Sequence, residues 1–181
     1  MERNVTLIAL FAALIAALGL IPQIMLPFGV PITAQSLGIM LCGTVLGAKR
    51  GALAVLLFLL LVAVGLPLLS GGRGGLGVFT SPTAGFLVGF PIAAFVTGLI
   101  TEKWRVGPLA ISAGIAAVIG GIIVLYIFGI AGLSIVLGKT PFEATALVSA
   151  FIPGDLLKAA IAGMLTAALA KARPASVLSR A

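Results

Sequence analysis

The chain contains no histidine, one cysteine and only four acidic side chains in 181 residues. Without histidine there is no imidazole metal site, no Ser-His nucleophile and no His base. The single Cys42 has no partner for an intrachain disulfide, and its apolar surroundings fit a buried, inert thiol. The acids are Glu2, Glu102, Glu143 and Asp155. A carboxylate dyad needs two acids sharing one proton. Glu2 and Glu102 border apolar stretches at the expected membrane surface, which leaves Glu143, in an expected loop, and Asp155. No metal, cofactor or enzymatic activity is expected from such a set.

What the chain has in abundance is apolar sequence. Hydrophobic residues make up 61%, charged residues 8%, and the mean hydropathy is +1.34. A water-soluble fold cannot bury that much apolar surface behind so little charge. The pattern specifies an all-α integral membrane protein, one membrane-embedded domain over residues 1–181, with membrane lipid as its surroundings. Six spans are expected, roughly at Val5–Ile21, Gln35–Ala48, Gly51–Leu66, Thr83–Thr101, Pro108–Ile130 and Ala150–Ala170. Lys49-Arg50 makes a tight turn between the second and third. Arg3 ahead of an apolar run also fits a signal peptide, but we retain the segment as a span.

The net charge of +7 does not point to nucleic acid, because the bases lie between apolar stretches instead of in one patch. They point to orientation. Arg3, Lys49, Arg50, Lys103, Arg105, Lys171, Arg173 and Arg180 share one side, against Arg73, Lys139 and Lys158 on the other. The side richer in bases is expected to face the cytoplasm, so both termini are expected there. Trp104 suits an interfacial position on that face. The expected location is a bacterial cytoplasmic membrane.

The outward segments are longer and rich in Pro and Gly: Pro22–Ala34, Pro67–Pro82 and Ala131–Ser149. They are also apolar. Irregular apolar backbone at membrane depth is tolerated where it is buried in protein or lines a cavity. These segments are therefore expected to cover an outward-facing, lidded pocket. Pro91 is expected to kink the fourth span.

Small residues recur at four-residue spacing at Ala9, Ala13 and Ala17, at Gly43 and Gly47, at Gly85 and Gly89, and at Ala159, Gly163 and Ala167. Such spacing lets helices approach closely. The first set has a second register at Ala12 and Ala16, which gives a stripe broad enough to dock another protein.

Two nucleotide motifs fail on context. Gly72-Arg73-Gly74-Gly75-Leu76-Gly77 reads G-x-G-x-x-G, but a helix precedes it and Pro82 soon follows, so it is expected to be a flexible loop. Gly138-Lys139-Thr140 resembles the end of a P-loop, yet its partner glycine is one residue out of register. Any ATP-driven step must come from another protein.

Asp155 and Lys158 stand out inside the last apolar span. Each costs roughly 2.5–3.5 kcal/mol at the membrane centre on insertion scales. Three-residue spacing puts both on one helix face. Asp155 alone also suits a helix start. Lys158 does not, since a cation in the first turn opposes the helix dipole. The carboxylate only accepts and the ammonium only donates, so a neutral ligand with adjacent N–H and C=O groups, such as a cyclic urea, satisfies both. A purely structural ion pair is the other reading. Arg73 either binds a carboxylate or reaches for lipid headgroups. Gln35 and Thr33 either contact ligand or cap a helix.

Four segments together resemble the BioY family, the biotin-binding S components of energy-coupling factor (ECF) transporters. They are Pro31-Ile32-Thr33-Ala34-Gln35, the Gly71–Gly77 loop, Ser81-Pro82-Thr83-Ala84-Gly85-Phe86-Leu87, and Phe151–Lys158. The third departs from the usual Gly-Pro-Thr-Gly-Gly-Tyr form, so Phe86 keeps the packing surface and lacks a hydroxyl. The resemblance implies six helices, an outward biotin pocket, and partners in a transmembrane T component and ATPase subunits. It implies that Asp155 and Lys158 hold the ureido ring, with Arg73, Gln35, Thr33, Phe86 and Gly77 as further pocket residues. It also implies that Ala9, Ala13 and Ala17 dock the T component. The rival reading is a proton-coupled carrier of another small solute using Asp155–Lys158 as a relay.

Overall fold

The computed structural model describes residues 2–180, and these form six helical rods capped at one end by a short hairpin and loops. Helix α1 (Glu2–Leu18) leads into a two-stranded antiparallel hairpin, β1 (Ile24–Met25) and β2 (Pro31–Ile32), with Ile24 opposite Ile32. Helices α2 (Gln35–Leu46) and α3 (Ala48–Ala63) follow, then α4 (Ala84–Lys103). The fifth rod joins α5 (Leu109–Val118) to α6 (Leu125–Leu137) through a π-helical stretch, Ile119–Val124. The sixth joins α7 (Pro141–Val148) to α8 (Ile152–Ala172) through a short 3-10 turn.

Three rods are long and apolar enough to cross a membrane: Ala84–Lys103, Leu109–Leu137 and Pro141–Ala172. Their outer surfaces stay apolar, with Ile111, Ile127 and Leu157 exposed, as expected where lipid replaces water. At 12 residues, α2 reaches only about 18 Å, well short of a hydrocarbon core of about 30 Å. The hairpin and the loop before α4 lie beside the start of α2, where their residues share a cavity wall with Gln35 and Ser36.

The segment Ala131–Ser149, expected to be irregular, differs from expectation. It is mostly helical: α6 continues to Leu137 and α7 begins at Pro141. Gly138 ends α6 in the left-handed conformation (φ 62°), as a helix C-cap requires. Thr140 and Glu143 form a capping box that starts α7. The P-loop look-alike is thus a stop signal followed by a start signal, and Glu143 is committed to that cap. The Gly71–Gly77 loop is not slack either. Leu69 bridges Arg73, and Gly75 N–H donates to Val62 O at 2.7 Å. Pro91 lies within α4 without interrupting it.

Several close approaches depend on glycine. A Cβ at Gly163 on α8 would lie 2.2 Å from the carbonyl oxygen of Ala110 on α5, and one at Gly43 on α2 would meet Ala94 O of α4 at 2.6 Å. The small-residue sets at Gly43, Gly85, Gly89 and Gly163 are therefore internal packing. On α1, by contrast, Ala9, Ala13 and Ala17 are exposed. The second register differs from expectation, because Ala12 is buried and Ala16 half-buried against the bundle. The exposed stripe is narrower than the sequence suggested.

Hydrogen bonds gather both ends of the chain at the pole opposite the hairpin. Arg3 donates to Ala175 O, Arg180 donates to Trp104 O and Ser112 Oγ, and Glu102 accepts from the first N–H of α3 at Ala48. Arg3, Lys49, Arg50, Lys103, Arg105 and Arg180 lie on or beside the residues joined by these bonds, whereas Arg73 and Lys158 lie at the hairpin end.

Gly163→Leu should abolish or severely destabilise the folded bundle, since the obstructing atoms are backbone. Gly154→Ala, at an open site on the same helix, should be neutral or stabilise by up to about 1 kcal/mol. Thermal unfolding in detergent checks both, and equal melting temperatures would contradict the packing described.

Candidate functional site

Helices α2, α4 and α8 all begin around a single cavity at the hairpin end. Its empty space, with the open solvent at its mouth included, is about 570 Å³, and its wall is mostly apolar, with Phe86, Phe90 and Phe151 among the lining residues. The N-termini of α2 and α4 border this space, and helix dipoles there favour negative charge. Val30, Pro31 and Ile32 of the hairpin form part of the wall. Phe28 packs edge-on against Phe151 (centroids 6.0 Å apart), which packs edge-on against Phe86 (5.9 Å). These aromatics tie the hairpin to the 3-10 turn before α8 and to α4 at the cavity margin.

Asp155 lies in this wall, 5% exposed. Its side chain does not cap α8. Oδ1 accepts from Lys158 Nζ at 2.8 Å and from Ser36 Oγ at 3.2 Å, and Oδ2 accepts from the Tyr126 hydroxyl at 2.8 Å. Lys158 Nζ also donates to Ser36 Oγ at 2.9 Å, which closes a triangle of Asp155, Lys158 and Ser36. A buried charge needs a partner and hydrogen bonds; here the carboxylate has three donors. Lys158 retains one N–H and Asp155 retains acceptor capacity.

Ser36 and Tyr126 escaped the sequence reading. Ser36 follows Gln35 at the start of α2, where a serine reads as a helix-start residue. Tyr126 is the one tyrosine of the chain and lies one turn beyond Gly120-Gly121. That glycine pair lies in the π-helical stretch: Gly120 abuts the Thr97 and Ala93 backbone too closely for a Cβ, and a Cβ at Gly121 would have to displace the Met40 side chain. A π turn re-aims the side chains that follow it, and the run of two glycines inside an apolar span was the available signal.

Gln35 is buried and lines the cavity, but its amide is occupied by backbone. Nε2 donates to Ile15 O at 3.1 Å and Leu68 O at 3.0 Å, and Oε1 accepts from Ser70 N–H at 3.0 Å. It clamps the end of α1 to the loop that carries Arg73. Thr33 lines the cavity too, and its Oγ1 accepts the Gln35 N–H at 3.3 Å. Arg73 reaches the wall from its loop, donating to Ser70 O at 3.3 Å and Thr83 Oγ1 at 3.4 Å. Among the described residues it has no acidic partner, and Lys158–Asp155 is the one ion pair. Burial pulls its pKa below the ordinary arginine value. Gly77 lies outside the cavity lining, exposed on the 3-10 turn Leu76–Thr80. No cluster of metal-ligating side chains occurs among the described residues.

The chain as a whole has counterparts among known proteins. The family model described as "BioY family" matches residues 2–175. The chain belongs to the BioY family. Two proteins named as biotin transporter BioY are similar to this BioY chain. The one from Rhodobacter capsulatus is 58% identical over 99% of this chain and 100% of its own length. The one from Rhizobium etli is 57% identical over 90% of each. A solved S-component for biotin from an ECF-type ABC transporter superposes with a TM-score of 0.89 at 31% identity, covering 94% of this chain and 92% of that one.

Gln35→Leu should remove the clamp and leave the buried Ser70 N–H unpaired, at a cost of about 1–3 kcal/mol. The melting temperature should fall, and an unchanged value would contradict a clamping role.

Proposed function

We propose that this BioY chain is a biotin uptake protein that captures biotin in the hairpin-end cavity and delivers it across a bacterial cytoplasmic membrane. It acts as the S component of an ECF transporter and is not an enzyme. The observation that carries the reading is the pairing, in one apolar cavity, of a neutral donor-acceptor network with a half-buried cation lacking an acid. Biotin has matching parts: a neutral cyclic urea, an apolar thiophane and valeryl chain, and a terminal carboxylate. The ureido N–H groups donate to Asp155, the ureido oxygen accepts from Lys158, and the carboxylate pairs with Arg73. Phe86, Phe90 and Phe151 pack the apolar middle. Gln35 and Thr33 hold the wall, and Gly77 serves the loop that brings Arg73 in.

The six rods are read as six membrane crossings, with the hairpin end outward as the lid and the basic end, carrying both termini, in the cytoplasm. The gathering of Arg3, Lys49, Arg50, Lys103, Arg105 and Arg180 at one pole supports this orientation. The exposed Ala9, Ala13 and Ala17 form the docking stripe for a transmembrane T component. ATPase subunits power reorientation, since the chain has no nucleotide motif in a suitable setting. The proton-coupled alternative needs an acid free to exchange protons, and three donors already hold Asp155.

Calorimetry on the purified chain tests the site. Asp155→Asn and Lys158→Ala should each weaken biotin binding at least tenfold, about 1.4 kcal/mol or more. Arg73→Gln should erase the preference for biotin over biotin amide. Wild-type affinity in both Asp155→Asn and Lys158→Ala would overturn the assignment.

A further inference from the structure

The charges of the cavity select more narrowly than its shape. Its lining contains one acid, Asp155, and two bases, Lys158 and Arg73. Asp155 is neutralised inside its own triangle with Lys158 and Ser36, and Tyr126 holds its other oxygen. Arg73 is left as the uncompensated charge. The groups facing this network are Lys158 on α8, Tyr126 on α6 and Arg73 on the loop before α4. Helix α2, helix α4 and the hairpin contribute only uncharged side chains to the wall.

We infer that this network is a charge filter on the ligand head group, admitting neutral cyclic ureas and rejecting cyclic guanidiniums of the same shape. The inference rests on the biotin reading and concerns the same site. A guanidinium has donors only. The free N–H of Lys158 would face a donor in place of the ureido oxygen, and two cations would crowd one carboxylate. No second acid lines the cavity to compensate. Uncompensated charge in an apolar, membrane-depth wall is strongly unfavourable. Lys158 is thus a specificity-determining residue as well as a hydrogen-bond donor, and Ser36 fixes its ammonium in place.

The probe is 2-iminobiotin, in which nitrogen replaces the ureido oxygen and the head group is a guanidinium at neutral pH. Binding of biotin and of 2-iminobiotin to the full chain in detergent is measured from neutral to alkaline pH. Biotin controls for titration of the protein, so the ratio of the two affinities isolates the ligand's proton. The ratio should favour biotin strongly at neutral pH and fall about tenfold per pH unit as the guanidinium deprotonates. In Lys158→Met, Asp155 becomes a free partner for the cation, and the pH dependence of the ratio should vanish or reverse. A wild-type ratio that does not change with pH would overturn the inference while leaving the biotin reading intact. So would an unaltered slope in folded Lys158→Met. If that variant does not fold, the wild-type series alone decides. Binding of neither ligand by folded wild type would overturn the biotin reading and the inference together.

Discussion

A single carboxylate with three donors organises the hairpin end of this molecule. Asp155 on α8 joins α2 through Ser36 and α6 through Tyr126, while Lys158 closes the ring from one turn along its own helix. In a membrane, neither charge is tolerable alone. Each side chain here is present because the others are, and the cavity takes its position from where these three helices can meet. The same closure that stabilises the pair keeps it neutral and leaves it one donor and some acceptor capacity for a ligand.

Close helix packing makes that meeting possible. Gly163 lets α8 lie against α5, Gly43 lets α2 lie against α4, and Gly120-Gly121 lets the fifth rod settle onto α4 and α2 through a π turn. Bulk at these points would push apart elements whose side chains must come within hydrogen-bonding distance at the hairpin end. Gln35 does the corresponding work for the loop, linking α1, α2 and the segment that delivers Arg73.

Much of this was legible in the sequence because a membrane exposes its rules. Apolar length and flanking bases located the rods, and the Asp-x-x-Lys in an apolar span drew attention to two residues that do line the hairpin-end cavity. The outward segment after Ala131 misled because apolar residues with Gly and Pro read as irregular chain, although Gly138 and Thr140 are helix-stop and helix-start residues. The stripe on α1 looked wide because sequence spacing cannot say which of two adjacent registers faces the bundle. Ser36 and Tyr126 were invisible because neither is ionised at neutral pH and both lie far from Asp155 along the chain. Their role depends on how α2 and α6 are turned, and a π turn sets one of those rotations. Gln35 was singled out for the right cavity, but its amide is occupied by backbone carbonyls and an N–H that no spacing rule reveals.

In the proposed complex, biotin lies in the hairpin-end cavity with its urea on the Asp155 network and its carboxylate on Arg73. A crystal structure of the chain with biotin bound tests it most directly. The expected result is the ureido ring within hydrogen-bonding distance of Asp155 and Lys158, the carboxylate on the Arg73 guanidinium, and the thiophane against Phe86 and Phe151. Biotin found elsewhere on the bundle, or bound in this cavity with its carboxylate on Lys158 and its urea away from Asp155, would contradict it.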